Sequence, residues 1–199
     1  MTRVSRLSLA LFAMLSLAAA GCTPRPTSVA RTPEQPASAT VDADAFSVYD
    51  LGGSWRDQSG ATRSLASWRG GPVLLAMIYT HCTATCPLAV SELKRIATLD
   101  PDVRFLLVSL DPARDGTNRL ADYAAERGLD PKRWTLLTGS DTDVRDLAAT
   151  LGVRYRQVTP DDLSHTNLIT LLDQEGRIAR QSSGRMDDAA IAELHAIAR

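Results

Sequence analysis

The chain of 199 residues has no basic block, no long apolar run and few cysteines, and each of these absences excludes a class of protein. It has no block of basic residues, and its 22 lysines and arginines are balanced by 23 acidic residues, so nucleic acid is not an expected partner. It has no apolar run of the roughly 20 residues that a permanent membrane-spanning helix requires. It has only three cysteines, at positions 22, 82 and 86, so each of them must be explained individually.

The N-terminal residues have the pattern of an export signal. Two arginines precede the apolar run Leu7–Ala20, which is too short to span a bilayer but typical of a signal peptide. The small residues before Cys22 resemble the lipobox of bacterial lipoproteins, although Ala19 stands where that motif usually has leucine. The resemblance implies that residues 1–21 are removed and that Cys22 carries a lipid. An ordinary cleaved signal with an incidental cysteine is the alternative.

Two further segments follow the signal. Residues 22–42 are rich in proline, threonine, serine and alanine, a composition typical of an extended and mobile linker. Residues 43–199 have a globular composition, and roughly 160 residues suffice for one domain with a core but hardly for two. We therefore expect one extracytoplasmic domain, held on a bacterial membrane by a lipid and a linker, and facing the periplasm or the cell exterior.

The second and third cysteines lie between a predicted strand and a predicted helix. The apolar run Val73–Tyr79 follows turn residues and is typical of a strand buried on both faces. Apolar residues recur at helical spacing after Cys86, which indicates a helix start at this cysteine, and Pro87 suits the first helical position. Because a helix N-terminus favours an anion, we expect Cys86, with Cys82 as a second candidate, to ionise more easily than a free thiol.

A pair of cysteines with this spacing is compatible with three kinds of chemistry. In an exported protein the pair can form a structural disulfide. Its thiolates can also attack other disulfides or bind soft metals. The spacing of Cys82 and Cys86 alone leaves these alternatives open.

The remaining patterns predict an opening hairpin followed by alternating strands and helices. The hairpin is predicted over Phe46–Leu51 and Ala61–Leu65, around turn-rich residues. Later strands are predicted at Val103–Leu110, Trp134–Leu137, Leu168–Asp173 and Arg177–Gln181, and helices at Gly116–Arg127, Val144–Leu151 and Asp187–Ala198. This order resembles the thioredoxin fold with an N-terminal β-hairpin and insertions, an α/β fold with a central mixed sheet flanked by helices.

This topology brings a histidine to the two cysteines. Parallel strands that end at Tyr79 and Leu110 place their carboxyl ends on one edge of the sheet, where α/β folds carry their sites. A hairpin strand that begins near Thr166 and runs antiparallel to them starts at the same edge. We therefore expect His165 beside the cysteines, in a set of soft donors that suits copper or zinc.

Two aspartates fall at the same edge of the predicted sheet. Asp111 precedes a proline and is a good turn or cap residue. Carboxylates at this edge, including that of Asp115, would also attract a metal ion or a partner. Both capping and support of the site remain open as roles for these two residues.

Three separated motifs resemble the Sco/SenC family. They are Thr80-His81-Cys82 with Cys86-Pro87, the segment Ser109–Asp115, and His165-Thr166 ahead of a strand that ends in Leu172-Asp173. The resemblance runs from about residue 46 onward and implies a thioredoxin-like, membrane-anchored protein that helps to assemble the copper centre of a respiratory haem-copper oxidase. It implies one copper ion, Cu(I) or Cu(II), held by Cys82, Cys86 and His165. The implied partner is the copper-bearing oxidase subunit or another periplasmic copper carrier.

The chain departs from the family pattern at two positions. Thr83 follows the first cysteine, where the family often has proline, and Ser164 precedes the histidine, where the family often has aspartate. Neither change removes a ligand, but a neighbouring acceptor usually sets the tautomer of a metal-binding imidazole. We expect either that Asp161 or Asp162 replaces the missing aspartate or that copper affinity is lower.

The rival function is that of an extracytoplasmic thiol-disulfide oxidoreductase that cycles Cys82 and Cys86. Thioredoxin-like enzymes typically have two residues between their cysteines and a cis-proline before the facing strand. Here three residues separate the cysteines, and Ser164-His165-Thr166 contains no proline. Both features favour metal binding, with thiol-disulfide reduction of a target copper site as an auxiliary activity.

Overall fold

The computed structural model describes residues 46–82, 85–159 and 162–198. The predicted signal peptide, the predicted lipid attachment at Cys22 and the predicted linker lie outside these residues. None of the helices in the described part of the chain is both long enough and apolar enough to cross a membrane.

The described residues form nine strands, four α-helices and two short 3-10 helices. The strands are β1 (Trp55–Asp57), β2 (Thr62–Arg63), β3 (Val73–Ile78), β4 (Arg104–Ser109), β5 (Trp134–Thr138), β6 (Tyr155–Thr159), β7 (Asp162–His165), β8 (Ile169–Leu172) and β9 (Ile178–Ser182). The α-helices are α1 (Cys86–Leu99), α2 (Thr117–Glu126), α3 (Asp141–Thr150) and α4 (Asp188–Ile197), and the 3-10 helices cover Val48–Asp50 and Leu65–Trp68.

Seven of the strands form one mixed sheet in the order β2-β1-β5-β4-β3-β8-β9. β3, β4 and β5 are parallel, and β8 runs antiparallel to β3 with Ala76 opposite Ile169. The carboxyl ends of β3 and β4 and the start of β8 therefore lie side by side at the same end of the strands. We call this border of the sheet, formed by strand ends and not by an edge strand, the site edge. The predicted α/β fold with a central mixed sheet is confirmed.

The centre of the sheet is buried because its strands are apolar on both faces. No residue of β3 is more than 1% exposed, and Phe105, Leu106, Leu107 and Val108 of β4 are fully buried. Burial of these side chains is the main stabilising contribution to the fold. It also holds the site edge in place, because both strands that end there belong to the core.

The opening hairpin lies later in the chain than predicted. Residues Phe46–Leu51 do not form a strand, because Val48–Asp50 adopt a 3-10 turn in which Ser47 Oγ accepts a hydrogen bond from the Tyr49 N–H. The hairpin consists instead of β1 and β2, which pair antiparallel. The prediction of a strand over 46–51 is wrong because a serine hydroxyl satisfies the local backbone, and apolar spacing does not reveal this alternative.

The sequence patterns do not predict a second, two-stranded sheet. β6 and β7 pair antiparallel with Tyr155 opposite His165, and within the described residues they are separate from the seven-stranded sheet. We call β6 and β7 together the outer hairpin. No residue of β6 is buried. A strand without a buried face does not need alternating apolar residues, and that alternation is the pattern by which a strand is predicted.

Candidate metal centre

The core of the sheet fixes the position of the two cysteines. β3 ends at Ile78, and the chain turns at once, with the Cys82 N–H donating a hydrogen bond to the Tyr79 carbonyl oxygen at 3.1 Å. Cys86 is the first residue of α1, so the prediction that it lies at a helix start is confirmed. Pro87 is the second residue, one position further into the helix than predicted. Cys86 is fully buried and Cys82 is 6% exposed. Both side chains therefore belong to the edge of the core.

His165 reaches the cysteines from the outer hairpin. It is the last residue of β7, and the chain then continues to β8 at the site edge. Its imidazole packs edge-on against the Tyr79 ring, with the ring centroids 5.7 Å apart and the ring planes at 79°. The proximity predicted from the topology is present in the structure, although the histidine lies on a strand of its own small sheet.

The donor atoms of these three residues converge. Cys82 Sγ, Cys86 Sγ and a ring nitrogen of His165 all lie within 4.8 Å of one another, and His165 Nε2 is 3.5 Å from Cys86 Sγ. Both cysteines are thiols. Zinc bonds to thiolate and imidazole are about 2.0 to 2.3 Å long, so two ligand atoms of one such ion can be up to about 4.6 Å apart. The three donors are therefore close to the separation at which they can share one ion.

A backbone carbonyl sets the tautomer of His165. The Nδ1 atom lies 3.2 Å from the Thr166 carbonyl oxygen, which can only accept a hydrogen bond, so Nδ1 carries the proton in this contact. The lone pair then remains on Nε2, the nitrogen that faces Cys86. Such an acceptor behind the ring is what a metal-binding imidazole usually has.

Asp162, one of the two aspartates expected to replace the one that the family often has before the histidine, is directed to Tyr79. Asp162 accepts a hydrogen bond from the Tyr79 hydroxyl at 2.6 Å. The imidazole takes the Thr166 carbonyl as its acceptor instead. Asp161, the other candidate, and Thr83 lie outside the described residues.

Thr85 is a further polar side chain at the site that the sequence patterns do not single out. Its Oγ1 lies 3.4 Å from His165 Nε2 and 3.7 Å from Cys82 Sγ. It is the N-cap residue of α1 but makes no capping hydrogen bond through its side chain. Its hydroxyl is therefore directed to the donor atoms. The signal that points to it is a threonine at an N-cap position inside the cysteine motif.

The prediction that Cys86 ionises more easily than a free thiol is wrong. Burial raises the pKa of the Cys86 thiol well above its ordinary value, and the neighbouring Cys82 and Asp115 raise it further. The helix N-terminus acts on the other sulfur, because the Cys86 N–H donates a hydrogen bond to Cys82 Sγ at 3.3 Å. For a fully buried thiol, desolvation outweighs the partial charge of the helix end. Metal binding is still compatible with this burial, since a coordinating ion deprotonates a thiol.

The two aspartates of the site edge have different surroundings. Asp115 is fully buried, and its carboxylate accepts hydrogen bonds from the Thr80 N–H at 3.0 Å, the Thr80 hydroxyl at 2.6 Å and the Ser109 hydroxyl at 2.6 Å. These bonds join the ends of β3 and β4 just before the cysteine motif. Asp111 forms an ion pair with Arg114 in the turn after β4. Among the described residues, neither aspartate belongs to the converging donor group.

The kind of donor decides which ions fit the site. Two sulfurs and an imidazole nitrogen are soft ligands, which suit copper or zinc and not calcium or magnesium. The sulfur side is buried, and the imidazole has an acceptor behind it, so the donors are held in place before an ion binds. The residues present therefore fit a single soft metal ion.

Comparison with known proteins identifies relatives over the same region. The SCO1/SenC family model matches residues 47–198. The SCO1 protein homolog of Bacillus subtilis is 25% identical over 138 residues, which cover 66% of this chain and 72% of that protein. The mitochondrial SCO1 homolog of Homo sapiens is 30% identical over 140 residues, which cover 63% of this chain and 45% of that protein. The chain thus spans less than half the length of the human relative.

Solved structures share the fold. The structure of Bradyrhizobium japonicum ScoI with copper bound has a TM-score of 0.61 and 28% identity, and the match covers 73% of this chain and 96% of that chain. BsSco, a member of the Sco family of cytochrome c oxidase assembly proteins, has a TM-score of 0.65 and 23% identity over 78% of this chain and 96% of that chain. The thioredoxin-like arrangement is confirmed by these likenesses. Because the family model covers the whole sheet and both halves of the donor group, this chain belongs to the SCO1/SenC family.

Proposed function

We propose that this chain binds one copper ion through Cys82, Cys86 and His165 and delivers it to the copper centre of a respiratory haem-copper oxidase. The observation that carries the proposal is the convergence of two sulfurs and an imidazole nitrogen within 4.8 Å of one another in a chain of this family. Copper suits these ligands because it forms stronger complexes with nitrogen and sulfur donors than the other divalent metals of its row. The relative from Bradyrhizobium japonicum, 28% identical, has copper bound.

Copper binding is expected to depend on the redox state of the cysteines. Thiolates are the ligands, so a disulfide between Cys82 and Cys86 removes two of the three donors. Formation of that disulfide releases two protons and passes two electrons to an oxidant such as oxidised glutathione. The chain therefore holds copper only while both cysteines are reduced, and delivery is gated by oxidation.

The copper content of the reduced chain tests the proposal. The full chain, reduced with a phosphine that contributes no thiol, is expected to bind about one copper ion at this site, measured by metal analysis and by titration under nitrogen. The double variant Cys82→Ser, Cys86→Ser is expected to lose this binding. Cys22→Ser is the matched control and is expected to bind copper as the wild type does. Equal copper binding by the double variant and the wild type would refute the proposal.

The proposed delivery takes place outside the cytoplasm, on the membrane that holds the oxidase. A lipid on Cys22 and the linker 22–42 would keep the domain 43–199 near its target, since a tether raises the effective concentration of two partners. A cleft of about 360 Å³ is lined by His165 and its neighbours on the outer hairpin, and it is the surface on which we expect an acceptor protein to dock. Mass spectrometry of the chain extracted from membranes is expected to show lipid-modified Cys22 as the first residue. An unmodified residue at that position would instead indicate an ordinary cleaved signal.

A thiol-disulfide oxidoreductase is the alternative function for the same cysteines. Neither cysteine is more than 6% exposed, so a protein disulfide has little access to either sulfur. We expect negligible turnover of a protein disulfide with a thiol donor. Sustained turnover by the wild type, lost in the double serine variant, would favour the enzyme over the copper carrier.

A further inference from the structure

One side chain contacts both halves of the metal centre. The Tyr79 carbonyl oxygen accepts the hydrogen bond from the Cys82 N–H. Its hydroxyl lies 2.6 Å from Asp162 Oδ1 and 3.0 Å from the Leu163 carbonyl oxygen, both on β7, and its single proton is shared between these two acceptors. Its ring packs against the imidazole of His165. Tyr79, directly after β3, therefore joins the cysteine segment to the outer hairpin.

Packing and hydrogen bonding contribute differently to the position of this hairpin. Leu163 is 8% exposed and belongs to the core, so it holds β7 against the main sheet. Apolar burial is non-directional and allows a strand to slide. The hydrogen bonds of Tyr79 require a defined length and angle, and a bond to an ionised carboxylate is stronger than one between neutral groups. The tyrosine therefore determines where β7 lies along the site edge.

We infer that the Tyr79 hydroxyl and the Asp162 carboxylate form a clamp that keeps His165 Nε2 within bonding reach of the two sulfurs. Asp162 and His165 are the two ends of the four-residue strand β7, so a displacement of one end moves the other. Both Tyr79 and Asp162 are positioning residues, because they act through ligands and not on the ion. The Tyr79 hydroxyl also interacts with the Cys82 side chain, whereas Asp162 bonds to Tyr79 at the far end of the strand that carries His165. The identity of the ion rests on the proposed function, but the clamp is a property of the chain without metal.

Loss of the clamp is expected to weaken metal binding while the fold remains. Tyr79→Phe keeps the ring and removes only the hydroxyl. Copper affinity is expected to fall about tenfold to hundredfold, the usual loss when a group that orients a metal-binding histidine is removed. Asp162→Ala is expected to give a similar loss, and the double variant little further loss, because the two side chains share one interaction. Asp162→Asn keeps an acceptor oxygen and is expected to restore part of the affinity.

Tyr49→Phe provides a matched control for the loss of a hydroxyl. The Tyr49 hydroxyl is buried and has no hydrogen-bond partner within the described residues. Tyr49 lies against Gly176, in the turn between β8 and β9 at the edge of the sheet opposite the metal centre. Removal of the Tyr49 hydroxyl is therefore expected to leave both the hydrogen exchange of the outer hairpin and the copper affinity unchanged.

Hydrogen exchange of the metal-free chain is the deciding measurement. Amides of the outer hairpin are expected to exchange faster in Tyr79→Phe than in the wild type and at the wild-type rate in Tyr49→Phe. In the copper-loaded chain, electron paramagnetic resonance of Cu(II) is expected to show weaker imidazole nitrogen coupling in Asp162→Ala, with the sulfur ligation retained. A general loss of stability would not change one ligand in this selective way.

The clamp and the proposed function fail in different ways. Hairpin exchange in Tyr79→Phe that matches the Tyr49→Phe control overturns the clamp, whichever metal the chain binds. Copper affinity of Tyr79→Phe equal to that of the control also overturns it and leaves the proposed function standing. A wild-type chain that binds no copper defeats the proposed function, and the exchange rates alone then decide the clamp.

Discussion

The sulfur side and the histidine side of the metal centre are built in different ways. Cys86 is fully buried at the start of α1, and the buried carboxylate of Asp115 joins the ends of the two strands beside it. His165 is only partly buried and lies on a small sheet separate from the main one. The first half of the site thus takes its position from the core, whereas the second depends on a few directed contacts. An ion shared by both halves would therefore order the outer hairpin more than the cysteine segment.

The largest expected effect concerns the sulfur side. Asp115→Ala leaves three buried donors on Thr80 and Ser109 without their acceptor, and we expect the free energy of unfolding to fall by about 4 kcal/mol. Urea unfolding of Asp115→Ala and the wild type measures this difference in the free energy of unfolding. Asp111→Ala, which removes a partly buried ion pair with Arg114 in the turn after β4, is the control and is expected to cost no more than about 2 kcal/mol. Similar losses in the two variants would show that packing alone holds the strand ends.

The second prediction concerns the histidine side. His165→Ala is expected to weaken copper binding by at least about a hundredfold, since removal of a ligand costs at least as much as removal of a group that orients it. Because the side chain is only partly buried and has one ring contact and one hydrogen bond, the free energy of unfolding is expected to change by no more than about 1 kcal/mol. Copper titration and urea unfolding of the same sample check both values. A large loss of stability would contradict the division of the site into a core half and an outlying half.

The third prediction separates packing of the outer hairpin from its hydrogen bonds. Leu163→Ala removes a nearly buried side chain and is expected to lower the free energy of unfolding by about 2 kcal/mol. Val158, on the same hairpin, is 50% exposed, so Val158→Ala is expected to change the free energy of unfolding by no more than about 0.5 kcal/mol. Thermal or urea unfolding compares the pair. Equal effects would mean that the hairpin contributes no core contact.

The smallest expected effect lies far from the site, on β1. Burial alone would raise the pKa of Asp57, but hydrogen bonds from Ser59, Arg63 and Ala61 outweigh it and hold the pKa below its ordinary value. The Asp57 carboxylate therefore binds a proton more readily in the unfolded chain than in the folded chain. The stabilisation is present above the ordinary carboxyl pKa of about 3.9 and is lost as the pH falls through the lower folded value.

Asp57→Asn is accordingly expected to lower the free energy of unfolding by about 1 kcal/mol at pH 7, and the difference from the wild type is expected to shrink below about pH 4. Urea unfolding at pH 7 and pH 3 measures this change. Copper affinity at pH 7 is expected to be unaffected, because β1 is separated from β3 by two strands. A difference that grows on acidification would contradict the lowered pKa.

Several elements could be predicted because their physical cause is local. The apolar runs of β3 and β4 indicate strands buried on both faces, and the spacing after Cys86 indicates α1. The hairpin of β8 and β9 follows from turn residues between two short apolar runs. The parallel and antiparallel order of these strands then brings His165 toward the cysteines, so the outline of the site also follows from the sequence.

Other features could not be predicted because they depend on what surrounds a residue. The outer hairpin has polar residues on both faces, so no periodic pattern indicates it. The raised pKa of Cys86 results from its complete burial, which outweighs the effect of its place at a helix start. The partner of Asp162 is Tyr79, 83 residues away along the chain, and spacing gives no sign of such a contact.

The sequence by itself determined the types of donor, the relative directions of the strands beside the site and the edge of the sheet at which the donors meet. These properties follow from side-chain chemistry and from the apolar periodicity of single segments. Only the tertiary structure decided which imidazole nitrogen faces the sulfurs, which sulfur receives the helix N–H, and how the histidine is held in place. Each of these depends on directional contacts or burial created by distant segments, and such contacts exist only after the chain has folded.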